Sequence, residues 1–301
     1  MTHLPSPQQL KYFLAVADEL NFGRAAKRCF VSQSTISGAI NDLESLLGTR
    51  LLERTKRRVS LTREGSATAV LARDVMNRLE EVANLAQTLK GPLSGKLRLG
   101  VIPTIGPFLL PPVLPKLKQE YPGLNLQLAE NLTPILLDEV RAGTLDCAVI
   151  ALPYSTGDLE TAHLFNERFF VAHTKKQAVK IGARGISTAE LKMRDVLLLN
   201  DGHCLKDQAL AACKLVEKEM DVSLQAASLI TLLGMVNTHL GVTFVPETAI
   251  PVLRKSFPAI QYTRMAEANA VRKVCLCWRP QSYRRADFEH LAKMISKPAK
   301  P

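Results

Sequence analysis

A chain of 301 residues, 47 % hydrophobic and 22 % charged, has room for two or three domains and at least one sizeable core. No stretch approaches the 18 uncharged apolar residues of a membrane-spanning helix, and Met1-Thr2-His3-Leu4-Pro5 lacks the basic start and apolar run of a signal peptide, so a cytoplasmic chain without a membrane partner is expected. The formal charge of +11 favours an anionic partner without locating it, because the first 90 residues carry 13 basic against 9 acidic side chains and residues 251–301 carry 11 against 3.

Residues 7–19 place Leu10, Phe13, Leu14 and Ala17 at helical spacing. Asn21-Phe22-Gly23 interrupts, and Arg24 to Arg28 gives a short Ala-rich helix. Ser32 then offers a cap for a third helix carrying Ile36, Ala39, Ile40, Leu43, Leu46 and Leu47 and ending near Gly48. Three short helices with a tight turn before the third fit a helix-turn-helix. Gln33, Ser34, Thr35, Ser37 and Asn41 give the third helix a face of short hydrogen-bonding side chains, suited to base edges and phosphates of double-stranded DNA. The competing reading makes Ser32 and Ser34 simple caps. Between two short extended runs, Arg50, Arg54, Lys56, Arg57, Arg58 and Arg63 face only Glu53, which suggests a wing meeting DNA or a solvated charge run.

From Thr62 the pattern Ala67, Val70, Leu71, Val75, Leu79, Val82, Leu85, Ala86 and Leu89 predicts a long helix. Its length and apolar stripe suggest pairing with a second chain, which would present two half-sites. Gly91-Pro92 stops it and Ser94-Gly95 completes a hinge. Three segments follow: 1–63 a winged helix-turn-helix, 64–95 a linker helix and hinge, and 96–301 a regulatory domain.

Alternating strands and helices fill the remainder, an α/β pattern. Strands are expected at 97–101, 124–128, 147–150, from 169, at 196–199, 242–245 and 274–278; helices at 108–121, 134–142, 228–238 and 285–295. A cleft between two lobes would hold a ligand at strand ends. Thr104 and Thr133 stand at two such ends, as ligand donors or as helix caps, and Arg272 returns either near the cleft or to solvent.

Cysteines occur at 29, 147, 204, 213, 275 and 277. Cys275-x-Cys277 lacks a second ligand cluster, so neither metal nor cofactor is expected. Asp201-Gly202-His203-Cys204-Leu205-Lys206-Asp207-Gln208-Ala209 places a thiol beside His and Lys, which favour the thiolate, with Cys213 nine positions on. A sulfenic acid on Cys204 can condense with Cys213 if the sulfurs meet. A helix over 205–213 would hold them roughly 13 Å apart, so bonding would require unwinding. The alternative gives Cys213 a packing role.

Phe22-x-x-Ala25-Ala26, Val31-Ser32-Gln33-Ser34-Thr35-Ile36-Ser37, Leu43-Glu44-x-x-Leu47-Gly48 and Leu51-Leu52-Glu53-Arg54 resemble the LysR-type transcriptional regulators. The resemblance covers nearly the whole chain and implies a winged helix-turn-helix, a linker helix and a two-lobed, periplasmic-binding-protein-like α/β regulatory domain. Residues 101–107 and 201–209 look specifically like the hydrogen-peroxide-sensing branch of that family. Carried onto this sequence, that resemblance makes Cys204 the peroxidatic thiol and Cys213 the resolving thiol, with Thr104, Thr133, His203, Asp207 and Arg272 around the peroxide. It further implies a homotetramer arranged as a dimer of dimers, promoter DNA and RNA polymerase as partners, and a cellular thiol reductant that resets the switch. Ser34 stands where many members carry proline, and the apolar Ser228-Leu229-Ile230-Thr231-Leu232-Leu233 replaces a more polar pattern.

Two other function classes compete. A regulator of the same family that binds a small organic effector between the lobes would leave the cysteines inert. A thiol peroxidase would share the first chemical step but leave the helix-turn-helix, wing and linker unexplained, so no enzyme is expected.

Overall fold

The computed structural model describes residues 4–54, 59–88, 91–177, 179–191, 195–202, 205, 208 and 225–296. The chain separates into two compact units, residues 1–86 and 87–301.

The first unit opens with helices α1 (Pro7–Glu19), α2 (Phe22–Cys29) and α3 (Gln33–Leu47), followed by a two-stranded ribbon of β1 (Leu52–Arg54) and β2 (Val59–Leu61). Local sequence sets the helix starts. Ser6 and Gln9 form a reciprocal capping box, Asn21 Oδ1 accepts the Arg24 N–H at 2.9 Å, and Ser32 Oγ accepts the Thr35 N–H at 3.1 Å. Each such cap stabilises its helix by about 1 kcal/mol. Phe13, Ile36, Ile40, Leu43 and Leu51 are fully buried between the helices, and each contributes about 1.5–3 kcal/mol by leaving water.

Helix α4 (Arg63–Thr88) begins where Thr62 Oγ1 accepts the Gly65 N–H at 2.8 Å and donates to the Arg50 carbonyl at 2.8 Å. Gly65 explains why no acidic residue completes a capping box there: a Cβ at this position would lie 1.9 Å from the Leu51 carbonyl oxygen. Ala69 and Ala72 pack into the unit's core, whereas Val70, Leu71, Val75, Leu79 and Val82 are exposed. The apolar stripe expected from the sequence is thus turned away from its own core from Val70 to Val82, while the side chains of Leu85, Ala86 and Leu89 lie outside the described ones.

The second unit is built on a nine-stranded sheet in the order β4-β3-β5-β11-β6-β9-β7-β8, with β10 pairing β6. Strands β3 (Gly95–Val101), β4 (Leu124–Glu130) and β5 (Cys147–Leu152) run parallel and are joined through α5 (Gly106–Glu120) and α6 (Thr133–Arg141). These elements, with β11 (Val271–Trp278) and helix α9 (Arg285–Ile295), enclose one apolar core. A second core collects β7 (Val196–Leu199), β8 (Gln225–Ala226), α7 (Leu229–Asn237), β9 (Val242–Pro246), α8 (Ile250–Ser256) and β10 (Ile260–Arg264). Two cores on one sheet make the two lobes.

The strand expected from residue 169 begins nine residues earlier, as β6 (Glu160–Thr174). Its first half packs Leu164 and Phe165 into the first core and its second half packs Phe169, Val171 and Ala172 into the second. With β11, against which it runs antiparallel, β6 is the covalent crossover between lobes. Helix α8 and strand β10 were not expected from the sequence. The short β10 alternates polar and apolar residues and owes its place to the open edge of β6.

Candidate functional site

On the first unit, α3 presents its polar face outward: Gln33, Ser34, Thr35 and Asn41 are exposed and Ser37 is half-buried. Ser32 Oγ lies 2.8 Å from both Ser34 Oγ and Thr35 Oγ1, so the cap and the polar face are one hydrogen-bonded cluster rather than alternatives. Arg54 is engaged inside the unit, with Nη2 donating to Glu44 Oε2 at 3.1 Å and its guanidinium 5.0 Å from the centre of the Phe22 ring. Arg57 and Arg58 lie outside the described residues.

On the second unit, a polar cluster occupies the crossover. Arg272 and Glu167 face each other across β11 and β6, and both side chains are completely buried. Arg272 Nε donates to Glu167 Oε2 at 2.7 Å, Nη1 to Thr104 Oγ1 at 3.1 Å and Nη2 to the Thr104 carbonyl at 3.1 Å. Glu167 Oε1 accepts the Thr248 N–H at 3.0 Å and the Thr248 hydroxyl. The guanidinium also stands 6.0 Å from the Phe169 ring centre. Burying two charges is tolerated when geometry and hydrogen bonding satisfy both, and here all three guanidinium nitrogens and both carboxylate oxygens are engaged. The solvated reading of Arg272 is therefore overturned, because β6 supplies a buried counter-charge directly opposite it.

This arrangement fixes the chemistry of Thr104. Its oxygen accepts from Arg272, so its hydroxyl hydrogen is left to donate elsewhere. Thr104 caps no helix, since Ile105 occupies the N-cap of α5 without a side-chain bond. Thr133 caps none either: Leu132 is the N-cap of α6, and the buried Thr133 hydroxyl has no hydrogen-bond partner among the described residues. Both threonines stand three residues beyond the paired ends Val101 and Glu130 of adjacent parallel strands. Such strand ends are where open α/β sheets bind ligands.

The cysteine-bearing stretch is described at Asp201, Gly202, Leu205 and Gln208, while His203, Cys204, Asp207 and Cys213 lie outside the described residues. Gly202 has φ +88°, and a Cβ there would sit 2.9 Å from Leu132 Cδ1, next to Thr133 in sequence. Leu205 is buried in the second core. Gln208 is buried, donating through Nε2 to the Ala151 carbonyl at 2.9 Å, while its Oε1 has no partner among the described residues. Ala151 is the last residue but one of β5, the third parallel strand. The described parts of this stretch thus pack at the same strand ends that carry Thr104 and Thr133.

Glu167, Phe169, Thr248 and Gln208 were not singled out from sequence. A signal for Glu167 existed, because Phe165, Glu167, Phe169 and Val171 alternate along one strand face and place a carboxylate in an apolar row.

Cys147, Cys275 and Cys277 are buried on β5 and β11. Burial pushes the Cys275 thiol up to about 11 and the Cys277 thiol up to about 12, and it raises Cys147 as well. Cys277 Sγ donates to the Ala148 carbonyl at 3.4 Å. These are packed thiols. Among the described residues no group of three His, Cys, Asp or Glu side chains could hold a metal.

Comparison with known proteins agrees with this layout. Residues 7–66 match the family model "Bacterial regulatory helix-turn-helix protein, lysR family", and residues 90–298 match "LysR substrate binding domain". The chain is 38 % identical over 292 residues to a probable hydrogen peroxide-inducible genes activator of Streptomyces viridosporus, covering 97 % of this chain and 93 % of that protein. It is 34 % identical over 297 residues to the HTH-type transcriptional regulator EstR of Acinetobacter baylyi, covering 99 % and 98 %. A full-length OxyR variant from Pseudomonas aeruginosa superimposes with a TM-score of 0.78 at 33 % identity, over 99 % of this chain and 96 % of that one. The chain belongs to the LysR family of DNA-binding transcriptional regulators, a family of regulators rather than enzymes, and within it resembles OxyR.

Proposed function

We propose that this protein is a hydrogen-peroxide-responsive transcriptional regulator whose switch is Cys204. The observation that carries the reading is the convergence, at the ends of β3, β4 and β5, of the Arg272-bound Thr104, the buried Thr133 hydroxyl without a partner among the described residues, and the flanks of the cysteine stretch. In this reading the Cys204 thiolate attacks one peroxide oxygen. The O–O bond breaks, the other oxygen leaves as hydroxide and takes a proton to become water, and Cys204 becomes a sulfenic acid. Donors such as Thr104 and Thr133 would stabilise the charge developing on the peroxide oxygens. The Cys213 thiolate then attacks the Cys204 sulfur, forming the disulfide and releasing the second oxygen as water. A cellular dithiol returns the two electrons. His203 and Asp207 complete the set around the peroxide.

Signal and output are divided along the chain: 1–63 contacts promoter DNA, 64–95 links and dimerises, and 96–301 senses. Assembly as a dimer of dimers, contact with RNA polymerase and a cytoplasmic address belong to the same proposal. Ser32, Gln33, Ser34, Thr35, Ser37 and Asn41 serve as the DNA-facing set of the recognition helix.

Peroxide titration with disulfide mapping by mass spectrometry, alongside DNA binding, tests the reading on the intact chain and on Cys204→Ser. Cys204→Ser should form no disulfide and show no peroxide-dependent DNA behaviour, whereas Cys213→Ser should stop at a sulfenic or higher acid. If the intact chain forms no bond at Cys204 while a small organic molecule shifts DNA affinity, the effector-binding alternative replaces this one.

A further inference from the structure

Glu44 lies on α3, yet its carboxylate makes hydrogen bonds outside that helix. Its Oε1 accepts the backbone N–H groups of Leu51 at 2.8 Å and Leu52 at 3.1 Å, and its Oε2 accepts Arg54 Nη2 at 3.1 Å. Arg54 in turn stacks on Phe22, the first residue of α2. One carboxylate therefore ties the third helix to the strand that opens the ribbon and, through Arg54, to the second helix. The exposed Asn41, one turn earlier on α3, and Arg50 line the groove beside this tie.

We propose that Glu44 is a positioning residue for DNA recognition, setting the spacing and angle between helix α3 and the β1–β2 wing so that both meet one duplex at once. The chemistry demands a carboxylate. All three partners are donors, two on the backbone and one a cation, and an anion can accept from all three. Glutamine in the same place must turn its amide N–H₂ towards either the backbone N–H groups or the guanidinium, a donor facing a donor. This inference does not depend on peroxide sensing.

Electrostatics alone predicts the opposite sign from positioning. Removing a negative charge from a DNA-binding unit strengthens its attraction to phosphates, whereas a wing released from its register loses phosphate contacts. The test compares the intact chain, Glu44→Gln and the exposed control Glu64→Gln on a duplex selected with the intact chain from a random-sequence library. Affinity is measured across a salt series, with active fraction fixed by stoichiometric titration. Loss of one or two phosphate contacts should weaken Glu44→Gln binding roughly 5- to 30-fold at 0.15 M salt and lower the slope of log K against log salt by about one to two. Glu64→Gln should bind no more weakly than the intact chain. If Glu44→Gln binds as well as the intact chain or better, or loses only active fraction at unchanged slope, the proposal fails. Should Glu44→Gln not fold, Arg54→Met severs the tie to Arg54 while leaving both backbone bonds in place, and an unchanged salt slope there overturns the proposal equally.

Discussion

Replacing Glu167 with alanine is the sharpest test of how the crossover is held. The substitution leaves the Arg272 guanidinium buried without its counter-charge, and it strips the acceptor from the Thr248 N–H and hydroxyl. Removing one partner of a buried ion pair destabilises a protein by about 3–5 kcal/mol, most of it the penalty of the stranded charge. For a unit spanning residues 87–301, each kcal/mol moves the melting temperature by about 2–4 °C, so a fall of roughly 6–20 °C is expected. Trp278 is the only tryptophan in the chain and is buried on β11, so its fluorescence reports unfolding of this unit within the intact protein. Arg272→Met should destabilise by a similar amount. The double variant, which removes both charges and leaves a side chain of comparable length, should recover most of the loss. Additive single effects, or a fall of less than about 2 °C for Glu167→Ala, would refute the account of the pair as mutually dependent.

Three further outcomes follow from the same geometry. Cys147, Cys275 and Cys277 should resist iodoacetamide at pH 8 in the folded protein and react after denaturation; with thiols raised to about 11 and 12 at Cys275 and Cys277, the thiolate fraction is about a thousandth or less, and rapid native-state labelling would contradict it. His173 is buried against Thr263 and the Thr174 carbonyl, and desolvation lowers its pKa below the ordinary His value. Its contribution to stability is therefore complete above about pH 6.5 and is lost as pH falls through the lower folded value, so the urea midpoint should decline on acidification and decline less in His173→Gln. Finally, Val75→Asp with Leu79→Asp should lower the sedimenting mass, since the exposed side of α4 needs an apolar partner and each such side chain contributes about 1.5–3 kcal/mol when covered; an unchanged mass would remove α4 as the pairing surface.

What the sequence made legible and what it did not divides by the distance over which each feature is determined. The first three helices are set by residues within a turn of each boundary: Ser6 with Gln9, Asn21 with Arg24, Ser32 with Thr35, and Gly48 at φ +65°. These starts and stops read directly from the chain. Thr62 caps α4 without the acidic partner of a capping box, and the reason for glycine at 65, the backbone of Leu51, belongs to another element. Strand β10 was invisible for the same reason, its partner lying on β6.

The regulatory site shows the same division in its chemistry. Thr104 and Thr133 were legible as residues at strand ends, but not whether they cap helices or point into a ligand site. For Thr104 that question turns on Arg272, which lies 168 residues from Thr104 and 105 from Glu167 in sequence. A solvated arginine would leave the Thr104 hydroxyl free to cap. A buried one, held by a carboxylate on the opposite strand, uses the hydroxyl oxygen as an acceptor and leaves its hydrogen to donate elsewhere. The wing poses the mirror problem. Arg54, Arg57 and Arg58 look equivalent in a basic run, yet Arg54 is tied down by Glu44 and Phe22. In both units a carboxylate, Glu167 or Glu44, decides what an arginine can do, and neither pairing reads from the sequence because each arginine lies on a different element from its carboxylate.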